Sequence, residues 1–292
     1  MQRNLLNLVG VLAILIVITA CVCPSGRDKG DPQTSPTPTT SKSTDPGKKN
    51  TGDKTSTNKD EGDFKVEHEA ITNSKYAEID AQVKKERLLE NAADQLNRSL
   101  ALPDDIILRA KSCGDVNAYY DSNDISITVC YELMEYYYGV FRASGLADQK
   151  AYDKMFAAVR FVFLHEVGHA LIDQYKLPVT GNEEDAADRC AAFINIEELG
   201  RDGVDACLAA ADAFRLDSKR APTDKHDLAD EHLLGEQRSY NSLCMIYGSD
   251  SSKYSNILTE GYLPKARAER CETEYQRMSE SWSTLLKPWR KS

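Results

Sequence analysis

Two histidines and a glutamate stand inside one of the most apolar stretches of the chain, FVFLHEVGHALI at residues 161–172. Apolar residues surround His165, Glu166 and His169 on almost every side of a helix predicted over 148–175, which indicates a buried helix. Burying two imidazoles and a carboxylate costs several kcal/mol unless hydrogen bonds, ion pairs or a metal compensate. We therefore expect these three side chains to be bound to something.

The spacing of the three residues fits a metal site. His165 and His169 are four residues apart, so they project from one face of a helix and their ring nitrogens can converge on one ion. Glu166 lies beside them, within reach of a water molecule on that ion. This HExxH spacing predicts that the histidines bind Zn²⁺ and that Glu166 acts as general base. The alternative is a chance HExxH whose histidines are hydrogen-bonded core residues.

A third protein ligand is predicted in EEDAADRCAA, which begins fourteen residues after His169. Glu184 is favoured, because Asp188 follows one helical turn later on the same face. A carboxylate there can accept the other N–H of a ligating histidine and fix its orientation. Glu183 has Ala187 at the corresponding position and stays open as the alternative ligand.

Hydrolysis of a carbonyl compound also needs a hydrogen-bond donor for the oxyanion that forms in the transition state. His232, in DEHLLGEQRSYN, is the predicted catalytic donor, with Arg238 and Tyr240 further along the same segment. The alternative is that His232 is a structural or simply exposed histidine. The predicted strand ISITV at 125–129 is a candidate edge for binding an extended peptide.

These motifs resemble known peptidases. HEVGHAL followed by ExxxD looks like the gluzincin type of zincin, found in thermolysin-like and membrane-embedded prenyl-protein peptidases. The wider set, between roughly Cys113 and Cys271, resembles a bacterial metallopeptidase family; it comprises AYYDSNDISITVCYEL, HEVGHALID, EEDAAD, DEHLLGEQRSYNSLCMIYGSD and RAERC. The resemblance implies a zincin-like fold, a zinc ion and a peptide or protein substrate. The spacing from His169 to Glu184 is shorter than in thermolysin-like enzymes.

The pattern of apolar residues predicts one folded domain over 63–292, of the α+β class and mostly helical. A small antiparallel sheet is expected before the active-site helix, formed by strands at 106–112, at NAYYD and at ISITVCYEL. The predicted helices cover 75–98, 132–143, 148–175, 183–199, 202–215, 229–247 and 264–285.

The first 62 residues are expected to lie outside that domain. Residues 1–20 have the layout of an export signal, and the small residues before Cys21 resemble a bacterial lipobox, which predicts lipidation of Cys21. Residues 21–62 then form a tether that lacks apolar residues beyond its first few positions and is predicted to be disordered. We therefore expect an extracytoplasmic protein attached to a membrane through its lipid. The alternatives are an uncleaved anchor and a plain signal peptide.

Six of the eight cysteines fall within the predicted domain, an even number that suggests disulfides in an exported protein. Pairing in sequence order is predicted, which joins Cys113 to Cys130, Cys190 to Cys207 and Cys244 to Cys271. The rival, a zinc–cysteine cluster, lacks any CxxC spacing in this domain. The net charge of −10 argues against binding of nucleic acid.

Together these patterns predict a membrane-anchored zinc metallopeptidase. The alternative is a zinc-containing surface lipoprotein that cleaves nothing and serves as a binding or assembly module. Glu166 favours the enzyme, because a purely structural zinc site is closed by a fourth protein ligand and needs no such acid.

Overall fold

A computed structural model describes residues 60–220 and 223–291. The predicted export signal, the lipidation site at Cys21 and all but the end of the predicted tether lie outside the described residues. The described part combines ten α-helices with one four-stranded sheet, so the predicted α+β class is confirmed.

The helices follow the predicted pattern with some changes of boundary. They are α1 (Ala77–Lys85), α2 (Leu88–Ser99), α3 (Tyr131–Ala143), α4 (Asp148–Gln174), α5 (Glu183–Phe193), α6 (Gly200–Asp217), α7 (Gly235–Ser249), α8 (Asn256–Thr259), α9 (Lys265–Ala268) and α10 (Cys271–Leu286). The single helix predicted over 75–98 is wrong, because Arg87 adopts a left-handed conformation (φ 52°) that separates α1 from α2. The helix predicted from 229 begins only at Gly235.

The sheet is mixed rather than antiparallel as predicted. Its strands are β1 (Phe64–Glu67), β2 (Ile106–Lys111), β3 (Ala118–Asp121) and β4 (Ser126–Cys130), in the order β1-β2-β4-β3. β1 pairs with β2, and β2 with β4, in parallel; only β3 and β4 are antiparallel. β4 is therefore an interior strand, so the predicted peptide-binding edge at 125–129 is wrong and β3 lies at that edge instead.

α4 crosses the middle of the fold, in contact with α3, α5, α6, β3 and β4. In the described part of the chain it is the one helix long and apolar enough to span a membrane. However, 78% of its most apolar window is buried inside the protein. Its hydrophobicity is thus explained by its place in the core.

The two ends of the folded part meet at the segment between α2 and β2. The backbone N–H of Ala101 donates to the Trp289 carbonyl at 2.7 Å, while that of Gly62 donates to the Leu102 carbonyl at 2.9 Å. Beside them, the Lys291 ammonium lies 2.8 Å from an Asp60 carboxylate oxygen. Both ends are therefore fixed to one short stretch of backbone.

Two of the three predicted disulfides are present. Cys113 is bonded to Cys130 and Cys244 to Cys271, with Cα–Cα distances of 5.4 and 5.0 Å. The predicted Cys190–Cys207 bond is wrong, because both residues are free, fully buried thiols on α5 and α6. Burial in apolar surroundings raises the pKa of both thiols, so both are unreactive in the folded protein.

This cysteine pattern predicts a distinct result in thiol mapping. Cys190 and Cys207 should resist alkylation in the native protein and react once it is denatured, without any reductant, because only their burial protects them. Peptide mass spectrometry without reduction should show the Cys113–Cys130 and Cys244–Cys271 cross-links. A peptide that joins Cys190 to Cys207 would contradict the structure.

Candidate metal centre

Three side-chain atoms converge between α4 and α5. The Nε2 atoms of His165 and His169 lie 3.2 Å apart, and Glu184 Oε2 is 3.0 Å from the first and 3.4 Å from the second. His165 is 1% exposed, while the other two side chains are partly buried. The structure thus brings together the two histidines and the favoured glutamate as a group that can hold a metal ion.

The other ring nitrogen of His165 is held by a buried ion pair. Its Nδ1 lies 2.8 Å from Asp188 Oδ1, the residue predicted to orient a ligating histidine. Arg238, from α7, binds the same carboxylate through two hydrogen bonds of 2.7 and 2.8 Å, and its guanidinium lies 4.2 Å from the centre of the Phe214 ring. A bidentate guanidinium fixes both the position and the charge of a carboxylate, so Arg238 fixes the partner of His165.

The adjacent acid, Glu183, is on the opposite side of the second imidazole. Its Oε1 lies 2.9 Å from Nδ1 of His169, the nitrogen that faces away from Glu184. The two consecutive acids at the start of α5 therefore contact different nitrogens of His169. In this arrangement Glu183 orients the ring and Glu184 faces the point where the Nε2 atoms meet.

The acidic groups of the site favour a positive charge at the point where the two Nε2 atoms and Glu184 Oε2 converge. Burial lowers the pKa of His165, but hydrogen bonds to Asp188 and Glu184 outweigh it and raise the pKa to about 9. Burial raises the pKa of Glu184, yet hydrogen bonds from His165, His169 and His232 bring it far below its usual value. A carboxylate that stays ionised among imidazoles is suited to binding a cation.

Glu166 is buried on α4 next to the two histidines, with 6% of its surface exposed. Burial raises the pKa of its carboxyl group, against the opposing effects of His165 and His169 and of a hydrogen bond from the Tyr120 backbone. Tyr120 belongs to the edge strand β3, and its hydroxyl donates to Asp173 on α4 at 2.7 Å. Glu166 thus lies between the site and the sheet edge.

His232 reaches the site from residues 223–234, which precede α7. Its Nε2 is 2.8 Å from Glu184 Oε2, and its ring stacks on that of His165 with centroids 5.8 Å apart. Tyr240, the weaker candidate from the same segment, donates its hydroxyl to Glu236, one turn back on α7, at 3.5 Å. The structure therefore brings His232 to the predicted metal ligands.

Gly168, between the two histidines, allows α5 to approach α4 closely. A Cβ atom at this position would lie 2.9 Å from the Cα of Ala187 and 3.1 Å from the Cβ of Cys190. These atoms belong to the same helix as Glu184 and Asp188. The glycine in HEVGH is therefore the reason that the acids of α5 reach the histidines of α4.

Replacing Gly168 by alanine should push α5 away and weaken metal binding. We expect a loss of about 1–3 kcal/mol in the free energy of unfolding, as for other overpacked cores. Urea denaturation and a metal titration would measure both effects. Gly139→Ala is the matched control, because Gly139 is an exposed helical glycine with open space around its Cβ; it should be neutral or stabilising. Equal behaviour of the two variants would contradict this explanation.

The sequence patterns include Arg238 but do not predict its role. Asp188 and Arg238 are 50 positions apart, so no local spacing connects them. The segment EQRSYN around Arg238 is polar in sequence, so nothing in it predicts that the arginine is buried. For Glu183 the sequence offers only the role of an alternative ligand, whereas in the structure its carboxylate contacts the outer nitrogen of His169.

Two imidazoles and a carboxylate that meet on buried helices form the donor set of a metalloprotein. The chain belongs to a protein family described as "Putative metallopeptidase", which matches residues 68–286. That description supports a metal-dependent peptidase function and therefore a hydrolase. The chain matches no curated protein and no solved structure.

Proposed function

We propose that this protein is a zinc-dependent peptidase whose metal is held by His165, His169 and Glu184. The observation that carries the proposal is the spacing of the three donor atoms, at 3.0, 3.2 and 3.4 Å from one another. Ligands about 2.0–2.1 Å from a tetrahedral zinc ion lie about 3.3 Å apart. The residues present fit the ion without rearrangement of the helices.

The donor set favours zinc and a catalytic rather than a structural site. Two imidazoles with one carboxylate are a common zinc set, whereas Mg²⁺ and Ca²⁺ prefer oxygen ligands. Two groups of side chains in the described part of the chain converge closely enough to hold a metal ion. In one of them Cys113 and Cys130 are bonded to each other as a disulfide, which leaves the group of His165, His169 and Glu184. Three protein ligands leave one coordination position for water or substrate, as in catalytic zinc sites.

The proposed chemistry is attack of water on a peptide carbonyl. Zinc would supply polarisation of that carbonyl and acidification of the water. Glu166 is suited to accept the proton from the attacking water and to deliver it to the leaving amine, because its buried carboxyl group has a raised pKa. Asp188 and Glu183 would keep the two imidazoles in place through their outer nitrogens.

His232 is proposed as the donor to the oxyanion. Hydrogen bonds to Glu184 and Asp230 raise the pKa of its imidazole, against the opposing effects of partial burial and of the Arg238 charge. An imidazole N–H beside the metal ligands is suited to stabilise negative charge that develops on a carbonyl oxygen. Its side chain is 46% exposed, which leaves it accessible to a substrate.

The edge strand β3 is proposed to bind the substrate. Within the described residues β3 pairs with β4 on one side only, and its Tyr120 backbone contacts Glu166. An extended peptide added to this edge would form backbone hydrogen bonds next to the general base. The substrate class that follows is an unfolded or flexible peptide segment.

We further propose that the enzyme works outside the cytoplasm, attached to a membrane through lipid on Cys21. The support is the pattern of residues 1–21 in the sequence, together with two disulfides, which form in oxidising compartments. Labelling with a radioactive fatty acid tests the anchor: wild type should incorporate it and Cys21→Ser should not. Equal labelling of the two would remove the anchor from the proposal.

The peptidase itself is tested by metal exchange. The purified protein should contain about one zinc per chain, cleave peptides from a mixed library, lose cleavage on chelation and regain it with zinc. Cleavage that survives complete removal of metal would contradict the proposal. A zinc-loaded protein that cleaves nothing would favour the non-proteolytic binding module.

A further inference from the structure

The side chain of Asn182 joins the two segments that bring Glu184 and His232 together. Its Oδ1 accepts the backbone N–H groups of Glu184 and Asp185 at 2.7 and 3.4 Å, and so caps the start of α5. Its Nδ2 donates at 2.6 Å to the backbone carbonyl of Glu231, the residue before His232. One amide therefore contacts both the helix end that carries the acids and the loop that carries the imidazole.

The loop of residues 223–234 has few other attachments near the site. Most of its hydrogen bonds are internal, such as those from the backbone of His226 and Asp227 to the Asp224 carboxylate. Across the described chain, two polar contacts connect this loop to α5 and its cap: Asn182 to Glu231, and His232 to Glu184. Most of the loop is exposed, so packing adds little to hold it.

The direction of the His232 ring depends on this part of the backbone. Asp230 Oδ1 accepts the backbone N–H of His232 at 2.8 Å and contacts its Nδ1 at 3.1 Å. This turn sets the ring relative to the loop, but it does not set the loop relative to the metal ligands. The hydrogen bond from Asn182 to the Glu231 carbonyl supplies that second constraint, one residue away from the ring.

We propose that Asn182 is a positioning residue that holds the loop of residues 223–234 against α5, so that His232 faces the substrate side of the metal ligands. This inference rests on the proposed peptidase function for the role of His232. The capping of α5 is a separate role of the same side chain. Serine caps a helix about as well as asparagine, but it has no amide to reach Glu231.

Asn182→Ser therefore separates the two roles. Hydrogen–deuterium exchange of the zinc-loaded full chain should show faster exchange in residues 223–234 and unchanged exchange in α5. The zinc affinity should stay within about threefold of the wild-type value, because Asn182 bonds the backbone of Glu184 and Glu231 and no ligating side-chain atom. Removing a direct partner of a ligating side chain would cost about 10- to 100-fold. Asn73→Ser is the matched control, because Asn73 caps a different helical turn and lies far along the chain from the loop; it should leave both measurements unchanged.

Peptide cleavage then tests the link to His232. kcat of Asn182→Ser should fall towards the value of His232→Ala, and the double variant should be no slower than His232→Ala alone, because both changes remove one function. Loop exchange that is unchanged in Asn182→Ser would overturn the positioning role, whatever the activity. If the loop of Asn182→Ser exchanges faster but the wild type cleaves no peptide, the positioning role of Asn182 stands and the proposed peptidase function is contradicted. Additive losses of kcat would overturn the coupling to His232.

Discussion

Glu166→Gln is expected to retain zinc and to lose peptide cleavage, with kcat lower by about 10²- to 10⁴-fold, the usual contribution of a general base. Glutamine has nearly the shape of glutamate but cannot accept the proton of the attacking water. The fold should tolerate the change, because the glutamate is 6% exposed and an amide costs less to bury than a charged carboxylate. Steady-state kinetics and the zinc content of the same preparation measure both expectations.

Two further glutamate-to-glutamine changes make this result specific. Glu184→Gln, in a residue whose Oε2 faces both imidazoles, should weaken zinc binding as well as cleavage. Glu272→Gln, at the exposed start of α10, should change neither. If Glu166→Gln cleaves peptides as fast as the wild type, the base is another group and the proposed mechanism fails.

His165→Ala is expected to reduce the zinc content from about one ion per chain to almost none, unlike Glu166→Gln, which is expected to retain zinc. The loss should exceed the about 10- to 100-fold decrease in affinity that removal of an outer partner causes. The variant should also be less stable, because the ring connects the Asp188–Arg238 pair to Glu184. Removing it leaves buried charges with fewer partners.

The control for this variant is His226→Ala, on the same loop as His232 but exposed, with its backbone N–H bonded to Asp224 of that loop. It should bind zinc like the wild type, and zinc should raise its melting temperature equally, since the ion binds only the folded site. Elemental analysis and thermal unfolding with and without zinc provide the comparison. Full zinc occupancy in His165→Ala would exclude this residue as a ligand.

The parts of the site that lie within one helix could be predicted from the sequence. His165 and His169, four residues apart, depend only on the periodicity of α4, and Glu184 and Asp188 depend on that of α5. The contact between the two helices needs a tertiary structure, although Gly168 is its local signature. Arg238 could not be assigned, because its partner is decided by the packing of α7.

The errors in the fold have similar causes. β1 has only four residues and pairs in parallel with β2 after two intervening helices, so no hairpin signal precedes it. The break between α1 and α2 occurs at Arg87, in a conformation that the periodicity of the apolar residues does not reveal. Cys190 and Cys207 are consecutive cysteines along the chain, like the two bonded pairs, yet they are free, buried thiols on α5 and α6.

The meeting of the two ends of the folded part has a consequence for engineering. Asp60 and Lys291 are joined by an ion pair. The backbone next to each of them forms hydrogen bonds with the backbone of residues 99–102. A short linker could therefore connect these ends, and new termini could be opened in the mostly exposed turn at 250–255, at the opposite end of α7 from the loop that carries His232. Such a circular permutant would keep α4 and α5 unbroken, and with them every proposed ligand of the metal.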